Sequence, residues 1–564
     1  MAVQVRSSPP SYDNIIVSII KYIGAYSNTF RLHLLNVQPA PRKDLRTMDF
    51  MKEMKNALDN EKTLTENGAV GYRTTGKELL DLNFAIASLR SASEPEIVNK
   101  FTKAFFEDSE LAVKWLFFCR DIREGLGERR LFKVCLRALA LLDSEAVIKF
   151  LPYVSEYGRW DDLFSLMLDS DDNDEICKKI YWLVLEQLSA DEENMKAGKP
   201  ISLLAKWMPS LNCSSKQRKN LAKRLCKYWD MSEKQYRQSL SALRKYLDVI
   251  ERKMCANEWD KIDYSAVPSK ANLIYKDAFL KHDETRRIEF LNKLQKGEAK
   301  INSSVAFPHD IVCKYKTKYW SIKSKTDATL EEMWRALPDL VNGEANTLVV
   351  ADGSASMESR IDSKSKATAL DVANSLAIYF AERSSGAFKD KYITFSENPQ
   401  LVDLSKGANL REKLTIARTY DECANTNIEK TFRLILQTAI DSNAKQEDLP
   451  ANILVISDME FDISTRFYFQ NEEKQWTCVT PDETLFEGIE KEFNEAGYKM
   501  PRLVFWNVCS RTGAIPVAQN ELGVALVSGF SVNIIKMVMS GELDPYKVLV
   551  EQLMSPRYEC ITLK

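Results

Sequence analysis

The stretch TLVVADGSASMES, residues 347–359, ends a run of strand-forming residues on Asp352 and then sets two hydroxyls, Ser354 and Ser356, at alternate positions. Two more oxygens fall at comparable points: Thr426 in ANTNIEK, just ahead of a helical stretch, and Asp458 in VISDMEFD, closing the apolar run ANILVIS. Three hydroxyls and two carboxylates form a hard, all-oxygen ligand set. It suits a divalent cation, Mg²⁺ first with Mn²⁺ or Ca²⁺ as alternatives, rather than zinc. Such a set is short of protein ligands and leaves a coordination position for a carboxylate or phosphate from outside. Taken alone, DGSAS also fits a Ser-rich turn or a helix N-cap. The arrival of Thr426 and Asp458 at matching element ends favours the metal site.

The elements that must hold these residues change character along the chain. After about residue 345, TLVVADGS, DKYITFS, ANILVISDM, RLVFWNV and VALVSGFS read as short apolar strands separated by helical stretches such as KATALDVANSLAIYFAERS. Strand alternating with helix predicts a mostly parallel, doubly wound α/β sheet covered on both faces. In such sheets ligands sit outside the carboxyl ends of the strands, where Asp352 and Asp458 fall. From about 48 to 335, IVNKFTKAFFED, LAVKWLFFCRDI, RLFKVCLRALALL, ICKKIYWLVLEQL and NLAKRLCKYW carry apolar residues three and four apart. They predict amphipathic helices joined by short turns, stacked as a solenoid or packed as an irregular helical domain. The reading is an arm over 1–47, a helical repeat domain over 48–344 and an α/β domain over 345–564.

Asp-x-Ser-x-Ser after a first strand, a Thr before a later helix and an Asp after a fourth strand resemble the metal-ion-dependent adhesion site of von Willebrand factor A domains. FFCRDIREGLGERRLF, VSEYGRWDDLFSLM, ISLLAKWMPS, LRKYLDVIERKMCANEWDKIDYSAVPSKANLIY and FPHDIV resemble a domain of unknown function that pairs a helical region with a C-terminal von Willebrand A domain. That architecture is similar to Ro-type proteins, whose TROVE module is a ring of HEAT-like helical repeats. The resemblance implies a helical ring or solenoid that binds RNA, with single-stranded ends in the central hole and structured small non-coding or misfolded RNA on the outer basic surface. It also implies a metal site that takes an acidic group of a partner.

The charge distribution bears on that expectation. The whole chain is nearly balanced, 78 Lys and Arg against 80 Asp and Glu, so a nucleic-acid surface has to be local. Between Lys206 and Lys325 there are 27 Lys and Arg against 13 Asp and Glu, an excess of 14. SKQRKNLAKRLCKYW and CKYKTKYWSIKSK interleave these cations with Tyr and Trp, a composition that meets phosphates and stacks on unpaired bases. The expected RNA contacts are Arg123, Arg129, Lys216, Arg218, Lys219, Lys223, Arg224, Lys270, His309, Lys314, Lys316 and Lys318. In RDIREGLGERR, Arg120, Arg123, Arg129 and Arg130 have nearby acids, Asp121, Glu124 and Glu128, as competing partners. Trp160, Trp207 and Trp259 read as packing anchors.

Other classes fit poorly. The three histidines, His33, His282 and His309, lie far apart, and no phosphate-binding glycine loop, zinc-protease motif or nucleophile elbow occurs, so the expectation is binding rather than catalysis. Eleven cysteines, singly spread and odd in number, suit reduced thiols in a cytoplasmic setting. No apolar run reaches membrane-spanning length. A ring built within one chain would work as a monomer, and the alternative function is a protein-interaction scaffold acting through the metal site.

Overall fold

The computed structural model describes residues 62–64 and 70–563, apart from short internal stretches at 169, 318–320, 342–345, 363–364, 396–398, 421–427, 461–466, 471–475, 480–484, 512, 514, 516–523 and 539–543. The expected arm over 1–47, Thr426 and Lys318 lie outside the described residues.

The described part of the helical region begins, unlike its sequence expectation, with an antiparallel pair, Lys62–Leu64 with Val70–Tyr72. Helices then follow in close succession: Glu94–Glu107, Ser109–Arg120, Arg130–Leu142, Ser144–Tyr157, Trp160–Met167 and Glu175–Lys196. Their joints explain the packing. Asp108 closes the first helix and caps the second, accepting from Leu111 N, and Asp143 closes the third and caps the fourth, accepting from Ala146 N. An aspartate with a non-helical backbone, φ −152° at Asp108 and −151° at Asp143, stops one helix and starts the next within a single residue, which turns the chain back on itself. Each helix therefore packs on the next and often on the one after, as Glu94–Glu107 does on Ser109–Arg120 and on Arg130–Leu142. Farther on, Lys216–Tyr228, Glu233–Tyr246, Ser269–His282 and Glu284–Gln295 carry the basic stretch.

Among the described residues the C-terminal sheet has six strands: β1 (Thr347–Asp352), β2 (Lys391–Phe395), β3 (Gln400–Asp403), β4 (Asn452–Ser457), β5 (Arg502–Asn507) and β6 (Val524–Ser528). Their order is β6-β5-β4-β1-β2-β3, parallel throughout except β3, which pairs antiparallel on the edge. The five apolar runs match the five parallel strands. β3 carries the short run QLVD, too brief to signal itself by alternation. Helix Ala369–Arg383 packs on β1, β2 and β4 on one side and on Pro308–Val312 of the helical region on the other. That is why residues 369–381 are buried on every face of the helix.

The two regions are sewn together at the carboxyl edge of the sheet. Asn507 at the end of β5 donates to Phe84 O at 3.0 Å, and Ala87 N donates to Ser528 Oγ, at the end of β6, at 3.0 Å. Lys316 reaches Asp371 at 2.7 Å. The C-terminal segment returns to the helical region as a strap. Lys114 Nζ donates to Tyr558 O at 2.7 Å, Tyr157 Oη donates to Arg557 O at 2.5 Å, and Arg557 pairs with Asp121 and Glu156, both at 2.8 Å. Tyr558 stacks on Tyr157 with ring centroids 5.7 Å apart.

Candidate metal centre and basic face

Parallel pairing places the ends of β1 and β4 side by side, and with them Asp352 and Asp458. Asp352 Oδ1 accepts from Ser354 N at 2.9 Å and its Oδ2 from Ser457 Oγ at 2.6 Å, which fixes the carboxylate across the two strand ends. The hydroxyls of Ser354 and Ser356 stand 2.9 Å apart. Asp458 Oδ1 accepts from Glu460 N at 3.2 Å, and Arg511 approaches Oδ2 at 3.3 Å. Met459, between them, takes φ of 63°, the left-handed turn that swings the chain away after Asp458.

Both carboxylates are nearly inaccessible, Asp352 at 1% and Asp458 at 2% exposure. Burial, and then the neighbouring charge of Asp458, push the Asp352 carboxyl up to about 7. Burial also raises Asp458, opposed by the Ser356 hydroxyl and by Arg511. Two buried acids side by side, with two hydroxyls turned together beside them and one partly exposed guanidinium, fit an oxygen-bound divalent cation, which would remove the cost of the paired charges. Among the described residues no three His, Cys, Asp or Glu side chains gather for a metal. This set instead relies on serine hydroxyls, and its threonine lies outside the described residues. Ser457, Glu460 and Arg511 were not among the expected site residues. Glu460 accepts from Ser510 Oγ at 3.3 Å and Arg511 N at 2.8 Å, binding the loop after β5 to the loop after β4. Polar residues directly after the apolar runs VISDME and WNVCSR were the signal for them.

The expected RNA contacts separate into three groups. Lys216, Arg218, Lys219 and Lys223 lie on the exposed face of helix Lys216–Tyr228, which contains no acidic residue; Arg218 also donates to Trp207 O at 3.1 Å. Arg129 is exposed, Arg123 is exposed while donating to Glu156 O at 3.1 Å, Lys270 pairs with Asp310 at 3.0 Å, and Lys314 is half-buried.

The third group corrects the sequence expectation. Arg224 is half-buried and ties helices together, pairing with Asp172 at 2.6 Å and donating to Met167 O and Ser170 O. Lys316 lies in the inter-region contact with Asp371. His309, 5% exposed, sits between Phe307 and Phe530 with centroids 5.5 and 5.4 Å away and, among the described residues, no partner for Nδ1. Three arginines of RDIREGLGERR find protein partners other than the nearby acids: Arg120 pairs with Asp162 at 2.8 Å, Arg123 donates to Glu156 O, and Arg130 donates to three carbonyls of residues 89–92. Gly158 permits the approach of Arg120 to Asp162, since a Cβ there would lie 2.5 Å from Asp162 Oδ2, and Gly125 permits the turn before Arg130, where a Cβ would lie 2.0 Å from Phe118 O.

Burial pushes His309 down to about 4, with Arg90 and Lys270 adding to the shift and Asp310 and Asp371 opposing it. Its folded value is below the ordinary 6.5, so only the unfolded chain takes the proton between those limits. Stability should therefore fall on acidification through that window by about 1.4 kcal/mol per pH unit from this group, and level off below it. The difference between urea unfolding of the wild type and His309→Leu, followed from pH 7 to 4, measures this contribution; parallel profiles would contradict it.

Trp182, absent from the expected contacts, is 63% exposed. The buried stripe of helix Glu175–Lys196 runs through Ile176, Cys177, Ile180, Tyr181, Val184 and Leu188, and Trp182 falls off it. Its neighbour Tyr181 stacks on Tyr228 at 4.0 Å and accepts from Trp229 Nε1 at 3.1 Å, so the basic helix ends against this turn. Trp160 is buried, Trp207 lies under Arg159 at 4.4 Å, and Trp259 stacks on His282 at 4.5 Å.

Residues 346–554 match a domain of unknown function, DUF7788, and residues 65–179 and 215–346 match a second, DUF2828. Over 530 residues the chain is 31% identical to "Uncharacterized protein L728" of Acanthamoeba polyphaga mimivirus, spanning 87% of each chain. The chain belongs to the family of this mimivirus protein. In this L728 family chain the two matches meet at residue 346, one residue before β1. No solved structure matches it.

Proposed function

We propose that this protein binds RNA in the manner of Ro-type proteins, on a HEAT-like helical region followed by a von Willebrand A-type domain, with Asp352, Ser354, Ser356, Thr426 and Asp458 holding Mg²⁺ for an acidic partner group. The observation that carries the reading is the acid-free exposed face of helix Lys216–Tyr228, set against the turn that presents Trp182. Lysines there meet phosphates without competition from carboxylates on the same helix, and an exposed indole gives an unpaired base a stacking surface. The protein acts by binding, in the cytoplasm, as a monomer.

Trp182→Ala should weaken single-stranded RNA binding by about 1–3 kcal/mol, the usual worth of one base–aromatic stack, with no change in thermal stability because the side chain is largely solvated. Fluorescence anisotropy with a labelled oligonucleotide tests this, and unchanged affinity would remove Trp182 from the interface.

The scaffold alternative rests on the paired Asp352 and Asp458. Mg²⁺ in millimolar excess should raise the melting temperature by a few degrees and chelator should reverse the rise. Asp352→Asn should abolish the shift while being no less stable than wild type in chelator, since the amide lacks the repulsion with Asp458. A Mg²⁺ response retained in Asp352→Asn would place the cation elsewhere. Capture of an acidic peptide that requires Mg²⁺ and Asp352, without any RNA affinity, would favour the scaffold reading.

A further inference from the structure

Away from the sheet edge, a cavity of about 620 Å³ opens between the segment Lys206–Asn212, helix Glu233–Tyr246 and helix Ile250–Cys255. Four cations line it, Lys206, Arg237, Arg244 and Arg252, against a single acid, Glu251. Its Oε1 accepts from the Tyr275 hydroxyl at 3.5 Å, and its Oε2 is buried with no hydrogen-bond partner among the described residues.

The cations differ in how they are held. Arg244 is fixed by oxygens that carry no charge, donating to Ala205 O at 2.8 Å, Ser210 Oγ at 3.0 Å and Met208 O at 2.9 Å. It is a preorganised guanidinium with no carboxylate partner among the described residues, and its pKa is lowered by burial and by nearby Arg218. Tyr236 Oη donates to Pro209 O at 2.7 Å and secures the same segment as one wall. Among the described residues, Arg237 pairs with the exposed Glu233 of its own helix, 3.7 Å away. Lys206 and Arg252 make no ion pair among the described residues. Leu211, Leu240 and Val249 supply an apolar surface between these charges. A second cavity of about 340 Å³ continues past Lys206 and Val249.

Concentrated positive charge, a fixed guanidinium and an apolar wall in one concavity match a ligand with phosphate at one end and a flat apolar body at the other. We propose that this cavity is a nucleotide-binding pocket, with the phosphates on Arg237, Arg252 and Lys206 and the base against Leu211, Leu240 and Val249. The same chemistry comes from a free nucleotide or from one nucleotide of an RNA strand. Only the strand source rests on the proposed RNA function.

The test uses the full chain, with ADP in one arm and a labelled 12-nucleotide oligouridylate in the other. Arg237 and Arg252 are exposed, so the R237E/R252E reversal leaves the core intact, and K293E/K296E serves as a charge-matched control outside the cavity. Calorimetry should show ADP binding weakened at least tenfold by R237E/R252E and changed less than twofold by the control. If ADP does not bind but the oligonucleotide does, the same tenfold loss in R237E/R252E alone assigns the pocket to the strand. If R237E/R252E behaves as the control with both probes, or wild type binds neither, the pocket is overturned. Oligonucleotide binding by wild type that survives R237E/R252E overturns the pocket while leaving RNA binding on the helical face standing.

Discussion

Reversing Lys216, Lys219 and Lys223 to Glu together should lower RNA affinity by roughly 100- to 1000-fold at low salt and flatten its salt dependence. Each lysine that meets a phosphate releases about 0.7–0.9 of a counterion, so losing three contacts should reduce the slope of log affinity against log salt by about 2–3. All three side chains are exposed, on the face of helix Lys216–Tyr228 opposite its buried Leu221, Ala222, Leu225 and Cys226. The triple variant should therefore unfold as the wild type does. Separating the two quantities matters: an affinity loss with an unchanged slope would point to altered structure rather than lost phosphate contacts. Equal affinity and slope in the two proteins would take this face out of the interface.

The second large effect is expected at the C-terminal strap. Arg557 lies over the Tyr157 ring at 4.4 Å and bridges Asp121 and Glu156. Asp121 has no solvent exposure, so Arg557→Ala would leave a carboxylate buried without its cation, a change that costs about 3–5 kcal/mol in comparable sites. The lower end applies here, because Arg123 N and Tyr558 Oη still donate to Asp121 at 3.0 and 3.3 Å. The strap crosses from the sheet region to helix Ser109–Arg120, so the loss should appear as a lower urea midpoint and faster proteolysis near residue 554. Arg557→Lys, which keeps a charge but cannot span both acids in the same planar geometry, should fall between the two. A midpoint unchanged in Arg557→Ala would mean that the strap does not hold the regions together.

The fold was legible where one residue pattern dominated. The five parallel strands show as apolar runs because both of their faces are covered, and helix Arg130–Leu142 follows its apolar periodicity from end to end. The edge strand β3 and the antiparallel pair at residues 62–72 escaped notice because three or four residues carry no periodicity. Asp352 and Asp458 were legible from their position after strands, since parallel topology brings such ends together. Ser457, Glu460 and Arg511 stood out only as polar residues at the ends of apolar runs, and their roles were not legible, because these arise from contacts between segments distant in sequence.

The basic stretch shows the limit of composition. An excess of cations says that phosphate contacts are affordable, yet Lys216 ends in solvent, Arg224 ties helices and Lys316 joins two regions. Periodicity separates Lys216 from Arg224 in part, but the partners Asp172 and Asp371 are visible only in three dimensions. His309 was misplaced for a similar reason. It was expected among the RNA contacts, while its side chain is enclosed by Phe530 from the other region.

The most direct test of the central claim is RNA binding by the purified full chain across a salt series, using a structured RNA with a single-stranded 3′ end, in Mg²⁺ and in chelator. The expected result is submicromolar affinity with a steep salt slope that survives chelation, which puts the RNA on the helical region and leaves the cation site to a partner. Binding no stronger than that of a neutral control protein at every salt concentration would contradict RNA binding altogether.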